Sequence, residues 1–148
     1  MATEIVEAQM IDAAVVAAGN NLPEAGELVI NTVPMDTLEN RKLVFNSTES
    51  AISLDSVLGK TLKLQHVVVQ VGEFTNEQTG EVERQPRVIL IDAAGRAYVG
   101  VSMPLYRTVR TLLKSFSVDG TLPEAMDVVV TREQGSVKGR TFFRLKLV

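Results

Sequence analysis

Between Thr61 and Val71 the alternation of apolar and polar residues changes parity. Leu62 and Leu64 share one face, and Val67, Val69 and Val71 then occupy the opposite parity. Side chains of a strand point alternately to its two faces, so a mid-strand switch is what a β-bulge produces. The pattern places that bulge at Gln65-His66, and a bulge supplies the bend that closes a small barrel.

The segments that follow are consistent with such a barrel. Gly72 to Gln85 reads as a long polar loop with a turn at Thr79-Gly80. Arg87 to Ile91 and Arg96 to Val101 form a hairpin around Asp92-Ala-Ala-Gly95. Ser102 stands where a helix N-cap belongs, and Pro104 is tolerated in a first turn because its missing N–H is unpaired there anyway. Leu105, Val109, Leu112, Leu113 and Phe116 recur at helical spacing and predict one buried stripe. Asp127 to Arg132 and Arg140 to Val148 form a last hairpin around Gln134-Gly135-Ser136. Three strands, a helix and two strands are the element order of the oligonucleotide-binding barrel. The expected fold is therefore mainly β: a five-stranded barrel of this type with one helix between its third and fourth strands.

Ahead of the barrel core at 59–148, the chain divides at Asn21. Residues 3–18 are Ala-rich and read as a helical arm, capped by Thr3 and ended by Gly19-Asn-Asn21. A lone helix of that length is marginal in water, so Thr3 to Ala18 is expected to dock on another subunit or to fray. Residues 22–148 read as one domain. Within it, Glu27 to Val33 and Lys42 to Phe45 resemble short strands, Ser47 to Leu58 a turn or short helix, and Pro23 and Pro34 mark boundaries.

Composition removes several classes of function. The 148 residues contain no cysteine and a single histidine, His66, which excludes a disulfide framework, thiolate metal sites, a cysteine nucleophile and a His-rich zinc centre. Gly59-Lys60-Thr61 resembles the end of a phosphate-binding loop, but the required earlier glycine is Leu54 and a strand follows in place of a helix. No nucleophile elbow or dinucleotide fingerprint is present. Asp92 and Asp127 are single carboxylates at strand ends, and His66 lacks an evident activating partner. The expectation is a protein without catalysis, metal, cofactor or small-molecule substrate. The start of the chain is acidic where a secretory signal is basic, and the longest apolar run, Ala13 to Ala18, is too short to span a bilayer, so a cytoplasmic location without membrane contact is expected.

The net charge of −3 averages two unlike parts. Residues 1–58 hold two basic side chains against nine acidic ones, whereas residues 59–148 hold thirteen basic and nine acidic. Such asymmetry fits a basic working region with an acidic appendage, and equally two solvated faces. The last strand carries more information. Alternation puts Phe143, Leu145 and Leu147 on one face and Arg140, Phe142, Arg144 and Lys146 on the other. A phenylalanine among cations on a wet face is covered either by a stacked base with phosphates on the flanking cations, or by another segment or subunit. In the third strand the same reasoning sends Ala97, Val99 and Val101 inward and Arg96 and Tyr98 outward. Arg87, whose facing is ambiguous, joins them as a candidate contact, with Lys63 on the first strand, Phe74 and Arg84 in the first loop, and Lys138 before the last strand. Cations interleaved with aromatic rings suit single strands, where bases are open to stacking, and no duplex-reading module is present.

Residues 59–148, about three-fifths of the chain, resemble the single-stranded DNA-binding proteins of phages and conjugative plasmids of Gram-positive bacteria. The likeness is carried by Gly59-Lys-Thr-Leu-Lys-Leu64, Thr79-Gly-Glu-Val82, Pro86-Arg-Val-Ile-Leu-Ile-Asp92, Tyr98-Val-Gly-Val-Ser102 and Arg144-Leu-Lys-Leu-Val148. It implies an oligonucleotide-binding barrel that coats exposed strands during replication or transfer. Where that family often carries aromatics before the fourth strand, this chain has Thr121-Leu-Pro-Glu-Ala125. The partners expected on this reading are single-stranded DNA or RNA and, through Thr3 to Ala18, further copies of the chain. The competing expectation is a self-assembling phage or plasmid protein built on the same small barrel.

Overall fold

The strand with the parity switch runs much further than its apolar pattern. In the computed structural model, which describes residues 26–135 and 141–148, β3 spans Thr61–Thr75 and is the spine of a curled, mixed sheet. Before it come β1 (Leu28–Asn31), helix α1 (Leu38–Ser50), a two-residue β2 (Ile52–Ser53) and a 3-10 turn at Leu54–Val57. After it come β4 (Val82–Asp92), β5 (Ala97–Val101), helix α2 (Met103–Phe116), β6 (Met126–Gln134) and β7 (Thr141–Leu147). The strand order is β2-β5-β4-β3-β6-β7, with β1 pairing β3 beside this path. All neighbours are antiparallel except β2 and β5. The expected arm at 3–18, with Lys138 and Arg140, lies outside the described residues.

The register of β3 against β4 shifts between Leu64 and His66, where the sequence places the bulge. Leu62 and Leu64 before it, and Val67, Val69 and Val71 after it, therefore enter the same core despite their opposite parity. Residues 61–64 pair with β6 and residues 68–70 with β1, so the bend distributes one edge of β3 between two partners. Thr32 reinforces the bend: its Oγ1 accepts the Val67 N–H at 2.8 Å, and its own N–H donates to the Val67 carbonyl at 3.0 Å.

The result is a half-barrel. Among the described residues β5 and β7 form no ladder with each other; side chains fill the space between them. Leu54, fully buried on the 3-10 turn, and Phe143 of β7 both approach Gly100 of β5. α2 closes the interior with Leu105, Tyr106, Val109 and Leu112, and Ser102 caps it by accepting the Leu105 N–H at 3.2 Å. Phe116, expected in the buried stripe, is exposed, and Tyr106 takes the interior position.

Three expectations are corrected. Among the described residues the sheet has seven strands, because β1 and β2 extend the five. Lys42 to Phe45 is helix: Thr37 caps α1 through the Asn40 N–H at 3.1 Å, and Val44 and Ser47, three residues apart, face the sheet. Gly72 to Gln85 is a hairpin, with β3 and β4 paired out to Thr75 and Val82 around a turn at 76–81.

At Gly100 an added Cβ would lie 2.7 Å from Leu54 Cδ1 and 3.0 Å from Phe143 Cε2. Overpacking of this kind costs about 1–3 kcal/mol. Gly100→Ala should lower the denaturation midpoint accordingly. Combined with Leu54→Val, it should cost less than the two single changes added together, because the shortened side chain clears the new methyl.

Candidate nucleic-acid interface

Two faces of the half-barrel are closed to ligands. The inner face is the core. The outer face of β3, β4 and β5 carries Val68, Ile89, Ile91, Ala97 and Val99, and these pack under α1 through Leu43 and Val44. The unbroken runs Val67 to Val69 and Val88 to Ile91 belong to strands buried on both sides.

This arrangement corrects two candidate contacts. Tyr98 is opposite Leu90 in register and points with it into the core, at 6% exposure, while Ala97 and Val99 face α1. It is therefore not an outward stacking platform. Arg87 lies half-buried at the end of α1, where Nη1 donates to the Thr48 carbonyl at 2.8 Å and to Gln70 Oε1 at 3.1 Å. Its guanidinium holds the helix to the sheet. Arg96 remains on the surface, but its Nε donates at 2.9 Å to Asp92, whose buried carboxylate also accepts the Ala94 and Arg96 N–H groups and so organises the turn.

Phe74 and Arg84 sit on the hairpin at 72–85, on opposite faces. Phe74 pairs with Glu83 and lays its ring over Gly72, where a Cβ would lie within 2.5 Å of the ring. Arg84 stands opposite Glu73. Glu77 and Glu81 complete an acidic setting around a single exposed ring.

What is brought together is the outer face of the other half. In register across β3, β6 and β7 lie Lys63 opposite Asp127, then Val129 opposite Lys146, Thr131 opposite Arg144 and Glu133 opposite Phe142. Phe142 is half-buried, and Lys63, Arg144 and Lys146 are exposed. Glu133 joins the last two, with one carboxylate oxygen 3.0 Å from Arg144 Nη1 and the other 3.8 Å from Lys146 Nζ. The face thus carries three cations, two carboxylates and one ring. Of the candidates, Lys63, Phe142 and Arg144 share this surface; Lys146 belongs with them.

Sequence reasoning missed Arg132. It projects to the inner side of β6, with its guanidinium carbon 4.3 Å from the centroid of the Phe143 ring. It donates to both oxygens of Asp55, at 2.8 and 3.0 Å, and to Thr141 Oγ1 at 2.8 Å. The hydrogen bond from Arg132 holds the Asp55 carboxyl below its ordinary range. The pair ties the 3-10 turn to the β6–β7 hairpin over the unpaired side of the barrel. Its partners are 77 residues apart, so no local pattern announces it.

Among the described residues no cluster of three or more His, Asp or Glu side chains is placed to hold a metal ion, and no helix is long and apolar enough to cross a membrane. Comparison with known proteins adds no relative: no family model, no curated protein and no solved structure matches the chain.

His66 at the bulge is half-buried and its Nδ1 has no hydrogen-bond partner. Burial holds its imidazole below the ordinary value of 6.5, against the opposing effect of a backbone hydrogen bond at Thr32. Because the folded pKa is depressed, the unfolded chain takes up the proton first as pH falls. Stability should be greatest above pH 6.5 and decline below it until the folded imidazole also titrates. Urea midpoints measured across that range should show the step, and His66→Gln should remove it.

Proposed function

We propose that the protein is a non-catalytic, sequence-tolerant binder of single-stranded DNA, acting in the cytoplasm on exposed strands of phage or plasmid DNA. The outer face of β3, β6 and β7 is the proposed contact surface. The observation that carries the reading is the position of Phe142: a half-buried ring in the same wet face as Lys63, Arg144 and Lys146. A base stacked on the ring covers it, while phosphates take the cations. The finer fold reading supports this. The path β5-β4-β3-β6-β7, with α2 between β5 and β6, is the order expected of an oligonucleotide-binding barrel, to which β1, β2 and α1 are additions.

Glu133 shapes the chemistry of the site. Its carboxylate already occupies the cations that a phosphate would use, so binding exchanges one anion for another. Affinity should then come mainly from stacking and from release of counterions. A fluorescence-anisotropy titration with poly-dT, a matched RNA and a duplex tests the reading, with the single-stranded DNA expected to bind most tightly. Three phosphate contacts correspond to a log–log salt slope of about −2 on single strands. Arg144→Ala with Lys146→Ala should reduce that slope by about 1.4. Phe142→Ala should cost about 1–3 kcal/mol, roughly five- to 150-fold in affinity, with little change in the slope. Salt-independent binding, or full affinity in both variants, would remove this face from the site.

A further inference from the structure

We infer that the hairpin arm at Gly72–Gln85 docks on the outer face of α2 in a second copy of this chain. Past Val71 and Pro86, β3 and β4 pair only with each other among the described residues, through Gly72 and Gln85, Glu73 and Arg84, Phe74 and Glu83, and Thr75 and Val82. A two-stranded ribbon standing alone is marginal in water. This one is ordered locally by Asn76, whose Oδ1 accepts the Gln78 N–H at 2.9 Å and whose carbonyl accepts the Gly80 N–H at 2.7 Å. It nevertheless exposes Phe74 and Val82 on opposite faces, at 40% and 58%. Its charge is one-sided: Glu73, Glu77, Glu81 and Glu83 against Arg84.

α2 has the complementary character. It contains Arg107, Arg110 and Lys114 and no carboxylate. Arg107, Thr111 and Lys114, spaced by four and three residues, lie on its exposed side. Phe116, at the C-terminal end on the core-facing side of the helix, and Val118 just beyond it are also exposed, at 44% and 57%. Arm and helix are therefore opposite in charge, and the proposed contact rests on that complementarity. Two different patches make a head-to-tail contact, which closes into a ring or extends into a filament according to its rotation. Extension would set copies side by side, as coating of a strand requires, but the contact rests on the protein's own surfaces and not on nucleic acid.

Charge reversal tests this on the full chain without DNA. Sedimentation velocity should show association that strengthens with concentration and is lost between about 50 mM and about 500 mM salt, where screening shortens the reach of the charges. Glu81→Lys with Glu83→Lys on the arm, and separately Arg107→Glu with Lys114→Glu on the helix, should each weaken association by about tenfold or more. All four changes in one chain should restore it, because the signs are again opposite. Glu81→Gln with Glu83→Gln provides a milder arm variant whose circular dichroism should match the parent. A monomer at every salt and concentration, unchanged association in either reversed chain, or failure of the fourfold variant to recover would each overturn the contact. Loss of oligonucleotide binding in Arg107→Glu/Lys114→Glu with unchanged sedimentation would overturn it too, assigning the helix face to nucleic acid.

Discussion

The architecture depends on β3 feeding one core from both sides of a bulge. Leu62 and Leu64 point inward before it, and Val67, Val69 and Val71 point inward after it. In a regular strand one of those sets would face water, at about 1.5–3 kcal/mol for each large side chain left exposed. The extra residue at Gln65 removes that conflict and bends the strand in the same step. β6 and β1 can then occupy successive stretches of one edge, and the sheet curls until β5 and β7 face each other. The remaining gap is narrow enough for Leu54 and Phe143 to fill only because Gly100 has no side chain. Arg132 then secures the seal at its exposed rim, bound to Asp55 and lying over the Phe143 ring.

Covering the second face of β4 and β5 has a functional consequence. Once α1 lies over Val68, Ile89 and Val99, that part of the sheet has no open side to offer. Three kinds of surface remain. The β3–β6–β7 face mixes both charges around Phe142, the hairpin arm is acidic, and the exposed side of α2 is basic. Side chains that alternation alone assigns to a single binding face are thereby distributed among a core, a helix anchor, a turn and a projecting arm.

What was legible in the sequence was local. The bulge, the hairpin around Asp92 to Gly95, the Ser102 cap and the outward direction of Phe142 and Arg144 follow from parity and capping chemistry within a few residues. α1 was not legible because Leu43, Val44 and Phe45 favour a strand by type. A cap at Thr37 and burial at positions three apart decide the matter. Tyr98 was misplaced for a related reason. Ala97, Val99 and Val101 look like the inward set because they are apolar, but their register opposite Ile91, Ile89 and Arg87 puts them on the other face. The unbroken apolar runs in β3 and β4 were the available signal that both faces are covered. Nothing in the order of residues pairs Asp55 with Arg132, since that contact exists only once the barrel has curled.

The net charge of −3 is compatible with the proposed binding because charges act over limited distances. At physiological salt the screening length is about 8 Å, so a phosphate responds to the few groups around it and little to the carboxylates of a distant arm. On the β3–β6–β7 face those few groups are nearly balanced, with Asp127 opposite Lys63 and Glu133 between Arg144 and Lys146. A balanced face is consistent with the proposal of a protein that releases its strand as well as covering it. On the proposed reading Glu133 would return to Arg144 and Lys146 when a phosphate leaves, and the aromatic contact at Phe142 would decide how firmly a strand is held.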